Sequence, residues 1–183
     1  APPFPVAEAV RQAIQLLDYA DRSGMHSLGH AFQPLLSPFD EYALRILDRC
    51  LTPRIPKDPQ KRQAYFAPYI DSSDPGQKSA LERNGRYLRD NLLYGRSIMK
   101  LGTLLFCLKY AEAGGWGAPG VWEDVRDVFG TPELLELYPE LDQVNTFRNM
   151  YVAHSEAVLT DATQAWNAMV QWVRCLWRMV SLA

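Results

Sequence analysis

Asp161-Ala162-Thr163-Gln164-Ala165-Trp166-Asn167-Ala168-Met169-Val170-Gln171-Trp172-Val173-Arg174-Cys175-Leu176-Trp177-Arg178-Met179-Val180-Ser181-Leu182 is the stretch that decides the fold. Gln164, Asn167, Gln171, Arg174, Arg178 and Ser181 recur at spacings of 3, 4, 3, 4 and 3, a narrow polar stripe at the helical period. Almost everything between them is apolar, including Trp166, Trp172 and Trp177. Thr160-Asp161 supplies capping-type residues ahead of the run. A helix apolar around most of its circumference must be covered on more than one side. The predicted helix is therefore central to a bundle, or shares one face with a second subunit.

Working back toward the start, every segment reads as helix, and no strand-like alternation or solenoid-length repeat appears. Pro139 suits a helix start, which predicts a helix from Pro139 to about Ala153. Short helices are expected over Glu133 to Leu137 and Val121 to Phe129. Gly114-Gly115-Trp116-Gly117-Ala118-Pro119-Gly120 is a helix terminator; with no Gly-Lys-Ser/Thr after it, it is not a phosphate loop. Ala80 to Ala113 reads as one long helix with an inward stripe of Leu88, Leu92, Gly95, Met99, Gly102, Leu105 and Phe106. Two glycines on that stripe lower helix propensity and predict close approach of another backbone. Arg86, Arg89, Arg96 and Lys100 cluster on another face of this helix, where they could hold RNA phosphates.

Thr52 to Ser79 contains five prolines, the last within Asp71-Ser72-Ser73-Asp74-Pro75-Gly76, the marks of a long loop with room for one short helical turn. Lys61, Arg62, Tyr65, Phe66 and Tyr69 mix charge with aromatics there, as single-stranded nucleic-acid binders do; aromatics tucked onto the bundle give the same pattern. Asp40 to Leu51 and Val6 to Tyr19 complete an all-α bundle with one long loop, about residues 52–79, in a single domain spanning 1–183.

A formal net charge of −2 gives no global attraction to nucleic acid. The distribution is uneven: Arg54 to Lys109 carries 11 Lys/Arg against 5 Asp/Glu, while Glu123 to Asp142 carries 1 Arg against 7 Asp/Glu. One basic and one acidic side are expected. Cys50, Cys107 and Cys175 sit among apolar neighbours at wide spacing and read as buried free thiols, which fits a reducing cytoplasm. Ala1-Pro2-Pro3-Phe4-Pro5 lacks the pattern of a signal peptide, and reads as a processed end or a domain excised from a longer polypeptide. The apolar run Ser97 to Tyr110 is too short, and too interrupted by Lys100 and Lys109, to span a membrane.

The chemistry concentrates in Phe147-Arg148-Asn149-Met150-Tyr151-Val152-Ala153-His154, just ahead of the last helix. Arginine offers a planar fork of donors that fits phosphate, and histidine exchanges a proton near neutral pH. Metal-free RNA cleavage needs both capabilities. On a regular helix, Arg148 and His154 lie about 240° apart and do not converge. They can cooperate only if the helix ends before His154, or if each meets its partner across a dimer.

Arg-Asn, four further residues, then His, entering a capped apolar helix, resembles the HEPN superfamily (higher eukaryotes and prokaryotes nucleotide-binding domain). The resemblance covers roughly Asp142 to Leu182. It implies a HEPN-type helical bundle, a homodimer with facing motifs, and a metal-independent endoribonuclease without cofactor. Such activity commonly serves as a toxin or in antiviral defence, with an antitoxin or a larger defence complex as partner. His154 would move a proton at the ribose 2′-oxygen or the leaving 5′-oxygen. Arg148 would stabilise the phosphorane, and Asn149 would orient the phosphate or the imidazole. The products would be a 2′,3′-cyclic phosphate and a 5′-hydroxyl.

Two other readings compete. Arg148 pairs with an acid such as Asp142 while His154 merely caps the helix, or the domain is a non-catalytic dimerisation or nucleotide- or RNA-binding module of a larger complex. His26 and His30, four apart, lack a convincing third metal ligand, and no Gly-x-Ser-x-Gly signals acyl transfer.

Overall fold

A computed structural model describes residues 3–68, 70–96, 98–154 and 156–183. Among the described residues there are eight α-helices and no strand. They are α1 (Phe4–Arg22), α2 (Gln33–Leu51), α3 (Pro59–Phe66), α4 (Pro75–Tyr94), α5 (Lys100–Glu112), α6 (Val121–Phe129), α7 (Pro132–Arg148) and α8 (Ala162–Leu182). Turns of 3-10 helix occupy Gly29–Phe32 and Thr52–Arg54, and a π-helical turn occupies Asn149–Ala153. The architecture is all-α. No helix of the described residues is long and apolar enough to cross a membrane. The chain divides into two compact units, Ala1–Tyr42 with Pro139–Ala183, and Ala43–Tyr138.

In the first unit, α1 starts on a proline at its first turn, where the missing N–H costs no helical bond. It buries Val6, Val10, Ala13, Leu17 and Ala20, a stripe at spacings of 4, 3, 4 and 3. α8 starts where Asp161 accepts a hydrogen bond from the Gln164 amide at 3.1 Å. α1 packs on α8 and on the Gly29–Phe32 turn. Trp172 of α8 is fully buried at the centre, meeting Phe32 at 4.9 Å, Phe39 at 5.4 Å and Phe147 at 6.0 Å between ring centroids. Edge-to-face contacts of this kind add to burial, and truncating such a residue to alanine costs about 3–5 kcal/mol.

In the second unit, α3 packs on α4, α4 on α5, and α5 on α6. Tyr110 and Phe106 of α5 meet Trp122 of α6 at 5.1 and 5.4 Å, and Trp122 is fully buried. The expected single helix over 80–113 is two helices. α4 ends at Tyr94, because Gly95 adopts a left-handed backbone (φ 61°) and its N–H closes onto the Asp90 carbonyl. The Asn91 side-chain amide ties the link by donating to the Tyr87 and Ile98 carbonyls. Gly95 meets nothing within 4 Å, and Gly102 faces only the Met99 side chain. Neither glycine marks the close backbone approach that was expected. The stretch read as a long loop holds α3, capped by Asp58, and the first turn of α4, capped by Asp74. Tyr65 and Phe66 are buried there, and Tyr69 lies outside the described residues. The expected helix start at Pro139 is also corrected: α7 begins at Pro132 and carries Pro139 in its interior.

Candidate active site

The motif lies wholly in the first unit, where the backbone changes pitch. After Arg148 the α-helical ladder gives way to the π-helical turn Asn149–Ala153, and His154 follows as its C-cap (φ −112°, ψ −10°). Such wide turns leave backbone groups displaced from the regular ladder, and they recur at functional sites. Here the displaced carbonyls are met individually. Met150 O accepts from the Ala157 amide at 3.0 Å, and Val152 O accepts from the Gln33 side-chain amide at 3.2 Å. The Tyr151 carbonyl lies so close to Gly29 that a Cβ there would sit 2.4 Å from it. Only glycine fits this position unless the backbone moves. The Leu28 amide donates to the Leu159 carbonyl at 2.9 Å, so the 28–33 segment braces the motif on both sides of His154.

Arg148 is half-buried and reaches across to α2, where a guanidinium nitrogen stands 3.5 Å from Asp40 Oδ2. Its partner is Asp40 rather than the sequence neighbour Asp142. Arg148 Nε is buried without an acceptor among the described residues. His154 is exposed, and Asn149 is partly buried between them in sequence. No hydrogen bond or ion pair among the described residues joins Arg148, Asn149 and His154. The helical backbone ends before His154.

Phe147 stacks against Tyr151 at 4.8 Å, and the Gln164 amide reaches the Tyr151 hydroxyl at 3.4 Å. These residues lead into an open groove of about 760 Å³ lined by Phe147 and by the polar stripe of α8, Gln164, Asn167, Gln171 and Arg174. That groove begins one residue from Arg148.

The four basic residues expected to hold phosphate lie in the second unit and do not share one helix. Arg86 and Arg89 are on α4, Arg96 follows the Gly95 terminator, and Lys100 opens α5. Arg89 pairs with the buried Asp90 at 3.1 Å, and Arg96 stands 5.3 Å over the Tyr94 ring. His26 and His30 are both exposed in the first unit, and no group of three or more His, Cys, Asp or Glu is placed for a metal among the described residues. Asp40, Gln33 and Gly29 escaped the reading of the sequence because they lie more than 100 positions from the motif they touch. Comparison with family models, curated proteins and solved structures gives no match.

Proposed function

We propose that the chain is a metal-independent endoribonuclease of HEPN type, acting as a homodimer. One observation carries this reading: the α-to-π transition at Asn149–Ala153 ends α7 between the two residues that could handle phosphate and proton. His154 stands exposed just past the turn, free to approach a bound substrate. It takes the ribose 2′-proton as the 2′-oxygen attacks phosphorus. The 2′-O–P bond forms, the P–O5′ bond breaks, and the departing 5′-oxygen receives a proton from the second copy's imidazole. Arg148, whose guanidinium stays partly exposed beside Asp40, stabilises the charge on the phosphorane. Asn149 orients the phosphate. DNA is spared because it has no 2′-hydroxyl. Arg86, Arg89, Arg96 and Lys100 belong to the same proposal as RNA contacts. Arg89 carries the least of its weight, since it is engaged with Asp90.

A second reading rests on the Arg148–Asp40 pair, which gives Arg148 a structural task without RNA. It makes the domain a non-catalytic dimerisation or nucleotide- or RNA-binding module of a larger complex. Incubating labelled RNA with the protein in EDTA separates the two. The catalytic reading expects 2′,3′-cyclic phosphate ends from the parent and none from His154→Ala; intact RNA with a folded parent transfers the assignment to the module.

A further inference from the structure

The second unit contains a half-open cavity of about 420 Å³ where α4 passes the chain that leaves α3. That volume lies within the roughly 300–1,000 Å³ of small-molecule sites. Its floor is apolar: Phe66, Ile70 and Leu81 are each 5% exposed or less. Its rim is charged, with Arg86 and Arg89 one turn apart on α4 and Glu82 a turn before them. Arg89 is preset. Two of its nitrogens bind one oxygen of the buried Asp90, which fixes the guanidinium without using all five of its N–H donors. Arg86 is exposed and makes no ion pair among the described residues. An oriented cation beside an unpaired one, above an apolar floor, is the arrangement that retains an anion with an apolar body.

We infer that this cavity binds a small amphipathic anion, its apolar body against Phe66, Ile70 and Leu81 and its carboxylate or phosphate head on Arg86 and Arg89. The site lies wholly within the second unit and does not depend on RNA cleavage, although it shares Arg86 and Arg89 with the RNA contacts proposed above. Carboxylate and phosphate present the same chemistry to two guanidinium groups, and the apolar floor sets the site apart from a bare phosphate contact. A solvated helix face gives the same arginines but has no reason to prefer an anion that carries a chain.

Titration calorimetry with octanoate, octyl phosphate, octanol and inorganic phosphate tests this. Octanoate or octyl phosphate is expected to bind at least tenfold more tightly than octanol or phosphate alone, and whichever binds better names the head group. Arg86→Ala should weaken that binding about tenfold. Ser79→Phe, which fills the cavity mouth from an exposed position, should abolish it. Circular dichroism should report both variants as helical as the parent. Octanol binding as tightly as the anions would overturn the inference, as would anion binding unaltered in both variants. Single-stranded RNA binding through Arg86, with neither octyl anion bound, would assign the pocket to RNA and overturn it equally.

Discussion

Replacing Arg148 with alanine removes one half of an ion pair and leaves Asp40 partly exposed without that partner. The expected cost is about 1 kcal/mol or less, since water can reach the remaining carboxylate, together with loss of RNA cleavage. His154 is exposed and bears no packing load, so His154→Ala should abolish cleavage with an unchanged melting temperature. Thermal melts beside RNA assays check both. Tyr65 supplies a pH test. Its hydroxyl donates to Asp124 Oδ2 at 2.7 Å, and burial, then this bond, push the phenol well above its ordinary value. A group whose folded pKa is raised contributes stability that is whole below the unfolded value, about 10, and is lost as pH climbs beyond it. Urea midpoints should therefore fall above about pH 10 in the parent, and fall less steeply in Tyr65→Phe.

At the scale of elements, the sharpest prediction concerns Gly29. A methyl group there would lie 2.4 Å from the Tyr151 carbonyl, which is backbone and has no side-chain freedom to yield. Gly29→Ala should lower stability by about 1–3 kcal/mol, in the range of overpacked cores. Amide exchange should show the largest loss of protection across Asn149–Ala153. Gly24→Ala, with nothing within 4 Å but a left-handed backbone, is the control that should leave that turn protected. Periodicity made α1, α6 and α8 legible in the sequence, because each carries a full apolar stripe and a clear start or stop. The break between α4 and α5 was hidden because Gly95 keeps the apolar phase of the stripe while its backbone leaves the helix. Pro139 misled in the other direction, since the signal for a helix start also fits a proline inside a helix. The candidate residues Arg148, Asn149 and His154 could be named from type and spacing. The π-helical turn was not, because it depends on Gln33 and Gly29, placed there by folding.

At the scale of the whole molecule, the uncovered side of α8 bears on the oligomeric state. Val170 is 55% exposed and Trp177 37%, and both border an apolar groove shared with Ile14. With one histidine per motif and two proton transfers per cleavage, a homodimer with the motif helix near its twofold axis is expected. Light scattering should give twice the chain mass; a monomer at every working concentration would remove the second imidazole and favour the module reading.

The division of the chain also sets an order of events during synthesis. The first unit is built from both ends of this sequence, while the second is one uninterrupted stretch, Ala43–Tyr138. At about 5–20 residues per second, the ribosome needs roughly 5–20 s to make that stretch. Throughout this interval α8, one of the two elements on which α1 packs, is still unmade. Chaperones that hold exposed apolar helices therefore have a defined window on this chain. Ribosome-bound chains arrested after Tyr138 has cleared the exit tunnel should protect the second unit from protease while α1 is digested, and α1 should become resistant only after α8 has emerged.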